Sequence, residues 1–214
     1  MQSSKGNNAR EKAKLLTQQA IKDAASDQFF SIGFAGTSLS DIAKAAGVKV
    51  PLIVYHFKSK ELLWRECVDD VFNALNTAVS LMLSEISGLQ GKAYLRALLT
   101  GYINATASAP EYLRLTFLEG MQASSRLTWL VDTHQRKQSE LILHIIEQAQ
   151  AAGTLKKVDK MHAKYILAAA VGAPFILGPE FELITGKSAK TDEVIEQHVE
   201  TCIALLFDLS DEQA

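Results

Sequence analysis

In TSLSDIAKAAGVKVPLIVYHFKSKELL, residues Thr37–Leu63, two short helical patterns are separated by a three-residue turn, Gly47–Lys49. Ser38 is a natural N-cap, because its hydroxyl can accept from an orphan N–H of the first turn. Asp41, three residues on, can close a capping box. Leu39, Ile42, Ala43 and Ala46 recur at three- and four-residue steps, which predicts a helix of about two turns with one buried face. Gly47 ends it. A second helix is predicted over Val50–Phe57, with Pro51 in its first turn, where a missing N–H costs nothing. Ser59 then caps a long helix carrying Leu62, Leu63, Val68, Val71, Phe72, Leu75 and Val79 to about Ile86.

Outward from this stretch the periodic segments are also helical. Leu16, Ala20, Ile21, Ala24, Ala25 and Phe29 form one apolar stripe over about Ala9–Ser31, and Gly33 stops it. The polar residues 1–8 ahead of it read as a flexible arm. Five more helices are predicted at about 91–107, 110–121, 125–151, 159–178 and 191–208, punctuated by Pro110, Gly153 and TGKSAKT. No alternating strand and no internal repeat stands out, so the predicted fold class is all-α. At 214 residues the chain holds one or two domains with a proper core. A composition of 48% hydrophobic and 21% charged residues is not that of a collagen, a disordered chain or a disulfide scaffold.

The start, MQSSKGNN, lacks the apolar core of a secretory signal. The longest uncharged run, Tyr165–Pro179, is interrupted by Pro174 and is shorter than the roughly 18–20 residues of a membrane helix. A cytoplasmic protein without a membrane partner is expected, with Cys67 and Cys202 as reduced thiols. Residues 1–60 carry nine Lys/Arg against four Asp/Glu, whereas the rest carries thirteen against twenty. That places the affinity for a polyanion at the front. No HExxH, Gly-rich phosphate loop, CxxC pair or activated nucleophile is legible. His134, His144, His162 and His198 do not share an i, i+4 spacing. No metal, no cofactor and no enzymatic activity are expected.

Two short helices joined by a Gly-containing turn and packed on a longer helix make a helix-turn-helix, here about residues 38–57. Its second helix enters the DNA major groove. With these features FFSIGFAGTSLSDIAKAAGVKVPLIVYHFKSKELL resembles the N-terminal domain of the TetR family of transcriptional regulators. The resemblance lies in Phe29 four residues before Gly33-Phe34, in Thr37-Ser38, Asp41-Ile42-Ala43 and Ala46-Gly47-Val48, and in Tyr55-His56-Phe57 with Lys60-Glu61-Leu62. It spans about a quarter of the chain. It implies a three-helix DNA-binding domain over residues 9–58 and a larger helical domain over 59–214 for regulation, ligand binding and dimerisation. It also implies a homodimer on a palindromic double-stranded operator, and most often a repressor that a small molecule releases. The chain departs from the family where Lys49 replaces the usual Ser or Thr cap and where Val54 replaces a Tyr.

On this reading Lys49, Val50, Pro51, Leu52, Tyr55 and His56 face DNA, while Ile53 and Phe57 point into the core. Apolar side chains can pack on thymine methyls in the major groove, which predicts T-containing half-sites with some specificity from DNA shape. Thr37, Ser38 and Lys60 are expected at phosphates, with Lys5 of the arm as a further contact.

The last two long helices carry small and apolar residues at interface spacing. Ala169, Gly172, Ala173, Ile176, Ile195, Val199, Cys202 and Leu206 are the candidates for a four-helix dimer contact. A pocket between the fourth and eighth helices is expected from Phe72, Tyr94, Tyr102, Asn104, Phe117, Met121, Gln122, Trp129 and Tyr165. Such a lining suits a largely apolar small molecule. The function expected is a repressor released from its operator by that molecule. A DNA-binding regulator controlled by a protein partner, or by no effector, stays open as the alternative.

Overall fold

The computed structural model describes residues 3–207, with side chains from Arg10 onward. The side chain of Lys5 lies outside the described residues. Among the described residues every regular element is helical, as the periodicity predicted. Helix α1 is Ser3–Gly36, α2 Leu39–Ala45, α3 Val50–Phe57, α4 Lys60–Glu85, α5 Gly91–Ser108 and α6 Glu111–Gly120. Helix α7, Ser125–Leu130, passes through one wide turn of π-helix, Val131–Gln135, into α8, Arg136–Ala151. Then follow α9, Lys160–Ile176, α10, Gly178–Thr185, and α11, Asp192–Leu206.

Two helices depart from the sequence reading. Helix α1 begins at Ser3, inside the segment expected to be an arm. Ser, Gly and Asn are weak helix formers, but extending an existing helix fixes only one residue per added hydrogen bond. The stop at Gly33 holds, for its backbone is non-helical (φ 77, ψ 170). Helix α10 was not foreseen; Pro179 and Glu180 sit in its first turn and Gly186, left-handed at φ 70, ends it. It is bent 67° from α9. No single helix among the described residues is long and apolar enough to cross a membrane.

The chain divides into two compact units, Met1–Asn73 and Ala74–Ala214. The division falls inside α4, later than the boundary expected after residue 58.

In the first unit Ile21, Ala25 and Phe29 follow one another at four-residue steps on α1 and are all buried. With Ile42, Ala43, Ile53, Phe57, Leu63, Trp64, Val68 and Phe72 they make up its core. Phe34 stacks on Phe29, with ring centroids 5.8 Å apart, and meets Trp64 edge-on at 6.2 Å. Lys22 donates to the Asp70 carboxylate at 2.5 Å and ties α1 to α4. Burial pushes the Cys67 thiol up to about 11, so it stays protonated and unreactive at neutral pH. The cap of α2 is the one expected, with Ser38 Oγ accepting from the Asp41 N–H at 3.1 Å. Asp41 closes the loop differently: its carboxylate accepts from the Ser38 hydroxyl at 2.5 Å.

In the second unit one buried cluster joins Leu99, Ile103 and Ala107 of α5 to Val171 and Phe175 of α9 and to Val199, Cys202 and Ile203 of α11. A second joins Leu95 to Ile146 and Ala149 of α8, with Leu155 and Ala163. Phe207 packs on both. Gly172 is needed where α9 meets α6, since a Cβ there would lie 2.4 Å from Leu113 Cδ1. Glu119 is buried and is paired with Arg126 at 3.2 Å.

Replacing the α2 cap, Ser38→Ala, is expected to destabilise the protein by about 1 kcal/mol. Urea unfolding followed by helical signal reads this, and an unchanged midpoint would remove the cap from the account.

Candidate DNA-reading face and ligand cavity

Helix α3 is only eight residues long and is held by two side chains. Ile53 and Phe57, one turn apart, are almost fully buried. The opposite face follows from the helical period. Pro51, Leu52, Val54 and Tyr55 are exposed, Tyr55 most of all at 67%, and Lys49 lies exposed just before them. Lys49 is the N-cap in extended conformation, with no side-chain cap bond, so its ammonium is not committed to the helix. Val50 and His56 are half-buried at the edges of this face. Tyr55 and His56 meet edge-on, with centroids 5.0 Å apart.

The chain turns out of α3 at Lys58, whose φ of 66 and ψ of −47 lie where L residues are strained. The Ser59 N–H donates to Phe57 O at 2.7 Å across it, a three-residue γ-turn. The Lys58 ammonium donates back to Tyr55 O at 2.9 Å. Lys60 Nζ sits 4.2 Å above the Phe34 ring at the start of α4, a cation–π contact that positions this charge. Basic residues thus bracket an outward apolar helix face. Thr37 does not join them. It is buried, its hydroxyl donates to Gly33 O at 2.9 Å, and it serves the turn between α1 and α2. Ser38 is half-buried and engaged as a cap.

The second unit contains a cavity of about 190 Å³. Its wall comes from the last three turns of α4 (Leu75, Val79, Met82, Leu83) and from α5, α8 and α9, where Leu and Ile predominate. The polar residues in the wall are Asn76, Tyr102, Tyr112, Gln138 and Lys164. Gln138 accepts from the Tyr112 hydroxyl and donates to Asn76 Oδ1, each at 3.3 Å. Burial pushes the Tyr102 phenol up to about 12 and Tyr112 higher still, so both remain donors at any physiological pH. Burial holds the Lys164 ammonium below the usual lysine range. Its partners are neutral: it donates to Ser139 Oγ at 2.7 Å and lies 5.0 Å from the Tyr165 ring centroid.

Residues 21–67 match the family model for bacterial regulatory proteins of the TetR family. The chain is 24% identical over 204 residues to the HTH-type transcriptional regulator RutR of Escherichia coli (strain K12), covering 93% of this chain and 92% of that one. Over 61 residues it is 36% identical to IcaR of Staphylococcus aureus, a negative regulator of a biofilm operon, covering 28% of this chain and 33% of the relative. Among solved structures, AibR in complex with isovaleryl coenzyme A and operator DNA shares the fold, with a TM-score of 0.62 and 18% identity over 89% of this chain and 98% of that one. Residues 21–67 thus carry the N-terminal domain of TetR-family regulators, and over nearly its whole length the chain is similar to a transcriptional regulator.

The aromatic residues singled out for a pocket are mostly elsewhere. Tyr102 lines the cavity. Phe72 is buried in the core of the first unit. Phe117, Met121 and Tyr165 are exposed, as are Asn104 and Gln122. Trp129 packs edge-on against His134 beside the π-turn, and Tyr94 packs on the second core cluster. The missed cavity residues are largely aliphatic, and aliphatic residues lining a void read like any others in the sequence. Lys164 did leave a signal. Lys164, Leu167, Ala168 and Val171 fall on one helical stripe, and a lysine in an apolar stripe is out of place.

The interface candidates divide by exposure. Ala169 and Ala173 are exposed, whereas Gly172, Val199 and Cys202 are buried in the chain's own core. Ile176, Ile195 and Leu206 are intermediate. The exposed apolar face of α9 continues through Tyr165, Ile166 and Leu177, and α11 adds Leu205, 78% exposed.

A lysine disfavoured as an ion in the folded state lowers stability at neutral pH. The penalty disappears as pH rises through its folded pKa to the unfolded value of 10.5. Lys164→Met is therefore expected to raise the melting temperature of the ligand-free protein at pH 7, by an amount that shrinks toward pH 10. A constant difference across that range would show that the charge is not the cause.

Proposed function

We propose that this regulator is a homodimeric repressor that reads a palindromic operator with the exposed face of α3. In this reading a small, largely apolar molecule in the second unit releases it. The observation that carries the proposal is the pairing of an outward apolar helix with an apolar cavity whose wall includes α4. That helix begins at Lys60, beside the reading head, and ends along the cavity. Filling the cavity shifts α4 and with it the spacing of two reading heads, which a duplex accepts only in step with its helical turn. Linkage then requires operator DNA to weaken the ligand by the same factor. AibR, solved with both an acyl-coenzyme A and its operator, and IcaR, a negative regulator, supply precedents for ligand control and for repression.

In the same reading Lys49 contacts a base edge or a phosphate, and Leu52 and Pro51 pack on thymine methyls. Tyr55 and His56 hold the backbone with Lys60. The two subunits meet through the exposed faces of α9 and α11, with Ala169 and Ala173 allowing close approach.

Selection of bound duplexes from a random pool tests this directly. The expected product is a palindrome with T-containing half-sites. Lys49→Ala should cost about 1–3 kcal/mol if it touches a base, and relax the preference at one position. Lys60→Glu should weaken all duplexes alike and flatten the salt dependence. Strong salt-sensitive binding without sequence enrichment would sink the operator reading. Ile166→Glu with Leu205→Glu should yield a monomer in sedimentation with the helical content unchanged. A double variant that stays dimeric would place the interface elsewhere.

A further inference from the structure

The cavity wall is chemically one-sided. It contains one cation, Lys164, and no carboxylate. Among the described residues Lys164 has no ion-pair partner, although its ammonium is partly desolvated. A partly desolvated charge with a neutral hydroxyl and an aromatic ring beside it lacks a counterion, and an anion is what supplies one. Tyr102 also lines the cavity, and burial keeps its phenol protonated, so it offers a donor there. Tyr112 and Gln138, by contrast, are committed to each other. Asn76 and Phe207 aside, the rest of the wall is aliphatic and rejects charge. Size sets the other limit. A cavity of about 150 Å³ lined by such side chains takes a benzene-sized guest, so 190 Å³ suits a guest of on the order of eight non-hydrogen atoms.

We infer that the effector is a small monocarboxylate, with a short aliphatic or aromatic tail in the leucine-lined cavity and its carboxylate on Lys164 and Tyr102. This rests on the reading of the cavity as the effector site and gives that site its ligand class. A single ammonium with neutral donors around it matches one negative charge, so a dicarboxylate would leave its second charge in an apolar wall. An organic cation meets like charge.

Titration calorimetry on the full chain without DNA provides the test, with hexanoate and octanoate against hexanol and octanol. The acids should bind saturably, one per chain, and about tenfold or more tighter than the alcohols of equal length. Lys164→Met should abolish that preference while keeping the affinity for alcohol. Lys164→Gln should lose most of it, and Tyr102→Phe should weaken the acids several-fold. Equal binding of acid and alcohol would overturn the inference. So would a preference that survives in both Lys164 variants, or no saturable binding of any probe. Operator release is measured separately. Acids that bind but leave operator affinity unchanged would overturn the effector role and leave the carboxylate site standing. Release by octanol as readily as by octanoate would leave the effector reading standing and overturn the ligand class.

Discussion

A helix of eight residues has no independent stability in water, where helices shorter than about 12–15 residues are marginal. Helix α3 also carries Val50, Ile53 and Val54, whose branched side chains disfavour helix, and Pro51. What makes it a helix is the burial of Ile53 and Phe57. That burial fixes the rotation of the helix about its own axis, so it determines which side chains face outward. The outward set of Lys49, Leu52 and Tyr55 is the complement of the inward pair. The outward surface of α3 follows from two anchors four residues apart, from the aromatic contacts of Phe34 with Phe29 and Trp64, and from the Ser38 cap that starts the preceding helix.

The exit from α3 shows what that placement costs. Lys58 sits at a positive φ where glycine would be easier. A lysine there keeps its ammonium on the Tyr55 carbonyl and adds charge beside the reading helix. Lys60, the first residue of the next helix, is fixed over the Phe34 ring. The basic groups of this face are thus held by the same aromatic and backbone contacts that hold the fold together.

The legible parts of the sequence were the local ones. The bounds of α2 and α3 follow from a cap, a glycine turn and a proline, all within a few residues of one another, and the structure places them within a residue of expectation. The extension of α1 to Ser3 and the π-turn at Val131–Gln135 had no such markers. The first is propagation of a helix already formed, and the second is an irregularity that a 3.6-residue period does not resolve. Helix α10 had them, Pro179 in its first turn and Gly186 at its end, but eight residues are too few to show a period. The cavity was least legible. Periodicity identifies which face of a helix is apolar, but it does not say whether the facing helix comes close enough to fill the space. Expecting aromatic residues there pointed to Trp129, Phe117 and Tyr165, while the chain built its wall from leucine and isoleucine around Tyr102 and Tyr112.

Lys164 carries the contrast between folding and function furthest. A sequence selected only for stability would complete the stripe of Leu167, Ala168 and Val171 with another aliphatic residue. At this position the chain accepts an ammonium in the wall of an apolar cavity that holds no carboxylate. The ammonium loses part of its hydration and gains a hydroxyl and an aromatic ring in return. A compact anion with an apolar tail pairs the charge and covers the apolar wall in one binding event. In the proposed reading that gives the ligand a reason to bind, and binding moves α4 because five of its residues, from Leu75 to Leu83, form one wall of the space being filled.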